Sequence, residues 1–396
     1  MQDSLRHRPD VDGRDKPGHD DFIYVKLIMW RRIHALVVKE FLALMKDRKI
    51  RLVLIGPPLL QMILFANAAT FDVTNVALGI WDEDGSLPAV ELIHRFTDSP
   101  AFARVATYQR PEEVASAITE QRVAAVLHIG QRFAADLKSR RVPALQLILD
   151  ARHSNTALIA EGYAQQIVTT YAAELALARG QMPGPEPVER AWFNPNLSSQ
   201  WFILPALVAL LSIVLTLMTT ALSVAREREL GTFDQLLVTP LLPIEIVIGK
   251  TAPSFAIGLA EAALLVLVAI FFYRVPFVGD PLILAAGLVT FLLSGVGIGL
   301  AISSVAKTQQ QAILGVFLFL APAIILSGFG TPIENMPGWC QDLTLIDPIR
   351  YMLVLVRGVF LQDMPWSIAL GQLWPMAVIG LATFGCATWL FGRRLG

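Results

Sequence analysis

Long apolar runs separated by short polar breaks fill the second half of the chain: Trp201–Val224, Ala252–Phe272, Pro281–Val305, Gln311–Gly328 and Ser367–Phe391. A sixth run, Ile50–Thr70, stands alone near the start. Each is close to the roughly 20 residues a helix needs to cross a hydrocarbon core of about 30 Å, so the pattern predicts six transmembrane helices. Gly56, Pro57 and Pro58 interrupt the first run and predict a kink, with neighbouring helices satisfying the freed backbone groups. Ahead of it, Trp30, Ile33, Val37, Phe41 and Leu44 recur at helical spacing while Arg31, Arg32, Lys39 and Lys46 fall largely elsewhere. Residues 29–49 therefore predict a basic amphipathic helix in the membrane interface, a solvated juxtamembrane helix being the alternative. Residues 1–28 begin polar and aperiodic. They are expected to be disordered, or a mis-called extension with Met29 as the true start.

Residues 71–196 follow a different rhythm. Val76–Trp81, Val105–Tyr108, Val123–Ile129 and Leu145–Leu149 have the length and composition of short buried strands. Helical segments Leu87–Phe96, Pro111–Gln121 and Gln131–Arg140 separate them, and a long helix from about Ser154 to Arg179 follows. Strands alternating with helices predict a small α/β domain inserted between spans one and two. The linker Met182–Pro187 then leads back to the bilayer. Asp82, Asp84 and Asp150 sit where turns and strand ends fall, and no nucleophile has a partnered base, so no catalytic residue is assigned.

Composition agrees with the spans. Of 396 residues, 54% are hydrophobic and 16% charged, and the mean hydropathy is +0.55, which excludes a soluble protein of this size. A net charge of -1 gives no sign of nucleic-acid binding. Cys340 and Cys386 lie far apart and the six histidines show no ligand spacing, so neither a disulfide framework nor a metal site is expected. Short-loop basic residues orient the chain. Lys46, Arg48, Lys49 and Arg51, then Arg226, Arg228 and Lys250, then Lys307, then Arg393 and Arg394 all fall on one side of a six-span chain. That side is the cytoplasm, with both termini in it and the α/β domain outside.

The stretch 225–251, ARERELGTFDQLLVTPLLPIEIVIGKT, is too chemically dense for a connector. Arg226, Glu227, Arg228 and Glu229 alternate in sign. Gly231 is placed to end the preceding helix and Thr232 to cap a short one at Phe233–Leu237, with Pro240 and Pro243 stopping it. Phe233, Leu236 and Leu237 would then face outward as apolar anchors for a cytoplasmic partner, while Glu227 and Glu229 pair with its basic residues and set the register. Gly249-Lys250-Thr251 is not a phosphate loop, because Ile244 stands where the first glycine is needed; Lys250 reads as a positive-inside anchor. Three further features matter. Glu261 lies mid-way along an apolar span, where a carboxyl is costly and a functional candidate: it lines a translocation path, pairs across a dimer, or is a neutral hydrogen-bonded packing acid. The run Gly295–Leu300 (GVGIGL) lacks a preceding strand and predicts close helix packing. Residues 329–366, with Ile349, Met352, Leu353, Val356 and Phe360 at helical spacing and Pro332, Pro337 and Pro348 around them, predict a re-entrant segment at the outer face. Its Arg350 and Arg357 are candidates for lipid or partner contact, or simple interfacial anchors.

Taken together, these motifs resemble the permease subunits of type-2 ATP-binding-cassette (ABC) exporters. Glu227–Pro240, ERELGTFDQLLVTP, is similar to that family's cytoplasmic signature. Lys39-Glu40-Phe41 with Lys46–Lys49 resembles its N-terminal connecting helix. Trp192-Phe193-Asn194-Pro195 is similar to its approach to the second span, and Ser327–Trp339 with Asp347–Gln362 to its outer segment. The likeness runs from Met29 onward, and the large domain after the first span resembles the drug-efflux subgroup that works with a periplasmic adaptor and an outer-membrane channel. The resemblance implies an inner-membrane permease with residues 197–396 as its five-helix domain. It works with a second permease chain, identical or paralogous, and with two ATPase subunits that carry ATP and Mg, this chain holding no cofactor. It also implies ATPase-coupling roles for Glu227, Arg228, Glu229, Gly231, Thr232, Phe233, Asp234, Leu236 and Pro240. Two other functions stay open on the residues alone: an ion-coupled secondary transporter using Glu261, and a membrane-anchored sensor whose outer domain binds a ligand.

Overall fold

The computed structural model describes residues 19–46, 48–68, 75–139, 141–180, 192–196, 198–231 and 242–395. They form two compact units, one of Thr70–Ser199 and one of Met1–Ala69 with Gln200–Gly396.

The first unit is α/β. Strands β1 (Val76–Asp82), β2 (Phe102–Tyr108), β3 (Ala125–Ile129) and β4 (Leu145–Leu149) lie in the order β2-β1-β3-β4. β1 runs parallel to β2 and β3, and β4 closes the far edge antiparallel to β3. The central β1 and β3 are apolar along almost their whole length, as strands covered on both faces must be. β2 starts three residues before the expected Val105. Only its ends are buried, so Arg104 and Thr107 can share the strand without an apolar run to mark it. The connecting helices are α3 (Leu87–Thr97), α4 (Pro111–Thr119) and α5 (Phe133–Lys138), and α6 (Ser154–Ala178) follows β4. Leu78, Ile80, Leu92, Phe96 and Leu127 pack with Ala160 and Tyr171 of α6 in one core, while Tyr108, Val114, Val123 and Val126 form a second. The acids flanking the strands make turns. Asp82 accepts from the backbone N–H of Asp84 and Gly85, and Asp84 accepts from that of Ala134.

The second unit is helical. Its elements are α1 (His19–Lys46), α2 (Arg48–Ala68), α7 (Ser199–Glu229), α8 (Pro243–Leu267, continued by a π-helical turn to Phe272), α9 (Pro281–Val305), α10 (Gln309–Leu326), α11 (Gly338–Leu343), α12 (Pro348–Leu361) and α13 (Trp366–Leu395). α1 begins ten residues before Met29, inside the segment expected to be disordered. Its buried side is Ile33 and Leu36, while Trp30 and Phe41 of the expected stripe are 65% and 40% exposed. Five helices, α7 to α10 and α13, are long and apolar enough to cross a membrane. α2 departs from the expected six because its apolar part is only Leu54–Asn67, roughly 21 Å at 1.5 Å per residue. Arg48, Lys49 and Arg51 occupy its first turn.

α9 lies at the centre of the bundle, and glycine is what lets its neighbours approach. A Cβ on Gly299 would stand 3.0 Å from Thr220 of α7, and one on Gly297 would stand 2.9 Å from the backbone nitrogen of Phe384 in α13. The GVGIGL run is thus a packing surface on two sides. α12 is buried deeply, with Ile349, Met352, Leu355, Val356, Val359 and Phe360 all fully enclosed. Asp347 caps its start by accepting from Ile349 N–H at 2.9 Å. At its end Gly279 and Val278 donate to the carbonyls of Val359 and Phe360. The helix of the expected re-entrant segment is thus packed within the bundle.

Candidate functional site

The described residues of the predicted docking stretch 225–251 are mostly helix. Ala225–Glu229 is the last turn of α7, and Pro243–Thr251 the first turns of α8. Gly231 follows α7 at φ +70, with open space around the position of a missing Cβ. This left-handed residue is the usual device for ending a helix. Thr232, Phe233, Asp234, Leu236 and Pro240 lie outside the described residues. α8 restarts at Leu242, whose N–H donates to Glu245 at 2.8 Å, with Pro243 in the first helical position.

Of the four charges before Gly231, Glu227, Arg228 and Glu229 each engage a different neighbouring helix end or side chain, Glu229 while remaining exposed. Glu227 stands 2.5 Å from Lys250 of α8, and Lys250 stands 3.2 Å from Glu40 of α1. The Lys250 side chain is 1% exposed and those of Glu227 and Glu40 are 14% and 17% exposed. Arg228 donates to the carbonyls of Ser303, Ser304 and Ala306 at 3.3, 2.7 and 3.0 Å, the unpaired end of α9. Glu229 accepts from the backbone N–H and the side-chain amide of Gln309 at 2.9 and 3.1 Å, the first residue of α10. A cation sits at a helix C-terminus and an anion at a helix N-terminus, the arrangement the peptide dipoles favour. Arg226 is also exposed.

Expectation and structure differ here in a definite way. Glu227 and Glu229 were assigned to a partner's basic residues, yet both are engaged within the chain. Lys250, taken for an interfacial anchor, is a buried cation between two carboxylates. Glu40 was missed as part of the site. The signal was present: it is one turn beyond Leu36 on the buried side of α1, and Gly249 lets α1 approach so closely that a Cβ there would meet the Leu36 side chain at 2.3 Å. Ion pairs of this burial hold position more than they stabilise, but removing one member strands a charge.

Elsewhere, Arg357 lies flat over Phe202 of α7, 3.8 Å from the ring centre, with Nε and Nη2 buried and lacking a hydrogen-bond partner among the described residues. Arg350 donates to Thr344. Glu261 is 7% exposed on α8, remote from the charged cluster in sequence. Among the described residues no group of three or more His, Cys, Asp or Glu side chains could hold a metal.

Comparison with known proteins agrees with this architecture. Residues 50–389 match the family described as ABC-2 family transporter protein. The chain is 41% identical over 367 residues to the probable multidrug ABC transporter permease YbhR of Escherichia coli strain K12, spanning 93% of this chain and 100% of that one. It is 32% identical to the probable multidrug ABC transporter permease YbhS of the same strain, over 93% and 98% of the two chains. It is 27% identical to the inner membrane transport permease YhhJ, over 92% and 98%. A bundle of apolar helices whose charged cluster clamps the base of one loop, joined to these likenesses over nearly the whole chain, places the protein in the ABC-2 transporter family as a multi-pass membrane permease that works with a separate ATP-hydrolysing subunit.

Proposed function

We propose that the chain is the membrane half of an exporter in which two permease chains, identical or paralogous, form the pathway and two ATPase subunits drive it. In this reading α2 is a first, short span, accommodated by local thinning of the bilayer. The bundle then has six spans, both termini and residues 232–241 face the cytoplasm, and the α/β unit stands outside the inner membrane. A periplasmic adaptor and an outer-membrane channel fit that placement. The names of YbhR and YbhS suggest drugs or other amphiphiles as cargo. ATP and Mg belong to the partner, since this sequence has no phosphate loop.

One observation carries the reading. Glu227, Arg228 and Glu229, immediately before the loop, hold α8 and α1, α9, and α10 respectively. A partner pushing on residues 232–241 therefore acts on a rigid base, and its displacement reaches several helices. Phe233 and Leu236 are the proposed apolar anchors, Thr232, Asp234 and Pro240 shape the segment, and the charges stiffen it. Glu261 is proposed to line the pathway.

The test is affinity purification of the tagged chain, followed by ATPase and export measurements. A co-purifying ATPase bearing the phosphate loop, with export abolished by ATP depletion, is the expected result. Export that survives ATP depletion would instead identify an ion-coupled carrier, and absence of any ATPase would point to a sensor.

A further inference from the structure

Between α1, α2, α7 and α8 lies a cavity of about 270 Å³. Phe41, Leu54, Pro58, Leu215 and Ile257 form its walls, and every lining residue is apolar except Glu261. That side chain is more than nine-tenths buried, and neither carboxyl oxygen has a hydrogen-bond partner among the described residues. Lys250 of the same helix, eleven residues earlier, does not serve it and is held by Glu40 and Glu227. A buried acid normally has a donor, because leaving its oxygens unpaired is costly. Among the described residues none supplies one, and the carboxyl borders the cavity.

We propose that this cavity binds a lipophilic organic cation, its charge against Glu261 and its apolar body against Phe41, Leu54 and Leu215. The chemistry disfavours two other kinds of guest. A neutral apolar molecule would leave both oxygens unpaired. A bare metal ion needs about six oxygen ligands, and the cavity offers two. A cation whose charge is wrapped in carbon needs only one carboxylate and gains from every apolar wall. The volume is near the lower end of small-molecule pockets, roughly 300 Å³, which suits a compact polycyclic cation and not a glycan or peptide. The proposal rests on the permease reading and names a cargo class for it.

Ethidium and the neutral N-phenyl-1-naphthylamine are suitable probes, measured by fluorescence on the full chain with its ATPase in lipid nanodiscs. Ethidium is expected to bind saturably to the native protein. Glu261→Gln, which keeps shape and removes charge, is expected to weaken ethidium at least tenfold while changing the neutral probe less than twofold. Leu215→Trp fills the cavity but keeps the carboxyl, and is expected to weaken both probes. Undiminished ethidium binding in either variant, or equal loss of both probes in Glu261→Gln, would overturn the site, as would a native protein that binds no ethidium. A preparation that carries an active ATPase yet binds no ethidium rejects the cation site alone. One that lacks any ATPase rejects the coupling reading, and its ethidium binding is judged separately.

Discussion

Lys250 concentrates the chemistry of the site at a single residue. Its ammonium is enclosed by Glu227 and Glu40, which come from helices 23 and 210 positions away in the chain. Lys250→Met fills the same space but removes the buried cation from Glu227 and leaves Glu40 with only Lys39 at 3.6 Å, and breaking a buried pair in this way costs about 3–5 kcal/mol. The purified variant is expected to melt earlier, and Lys250→Met combined with Glu227→Gln to recover part of the loss. Equal melting temperatures for native protein and single variant would dismiss the buried pair. The sequence could not show this, because positive-inside counting assigns a side of the membrane and not a direction around a helix. A lysine one turn into an apolar helix looks the same whether it reaches for headgroups or for a carboxylate.

Elements were more legible than their faces. Leu145–Leu149 is the strand expected at those residues, and Val76–Trp81 needs one residue more, because short apolar runs bounded by turn residues have few other ways to be buried. On α1 the period was right but burial along the expected stripe was uneven, since the exposed Trp30 is as apolar as the inward Ile33 and Leu36. Hydrophobicity distinguishes core from water, and beside lipid that contrast vanishes. Glycine spacing survives it. Gly297→Ala drives a methyl into Thr383 and the backbone of Phe384, and is expected to lower the thermal midpoint in detergent. Gly371→Ala on α13 has open space around it and is expected to be neutral or to stabilise by about 0.5–1 kcal/mol. If both variants behaved alike, α9 would not be packed as described.

For the whole molecule, the question is how work from a motor enters the bundle. Gly231 sits at φ +70, which proline, locked near −65°, cannot adopt. Gly231→Pro is therefore expected to re-aim the loop while the protein still inserts, and Phe233→Ala to remove its proposed anchor. Both should leave ATP hydrolysis by the partner running without matching export. Normal cargo-stimulated hydrolysis and export in both variants would refute the coupling role of the loop. The position of this loop was legible from its glycine, its prolines and its alternating charges. The engagement of those charges within the chain was not, because it depends on where the ends of α9 and α10 fall, a property of the assembled bundle.

The capture of Glu227 and Arg228 within the bundle has a consequence for how a motor subunit is recognised. Glu227 is balanced by Lys250 and Arg228 is held against the carbonyl end of α9, so little of their charge is free to attract a partner, and exposed attractions are what dissolved ions screen at about 8 Å in 0.15 M salt. Attachment of the ATPase is therefore expected to depend weakly on ionic strength, holding from 0.05 to about 1 M sodium chloride in a pull-down assay. Partner choice then follows the fit of an apolar segment, so a motor subunit of different surface charge but similar groove should be accepted in its place.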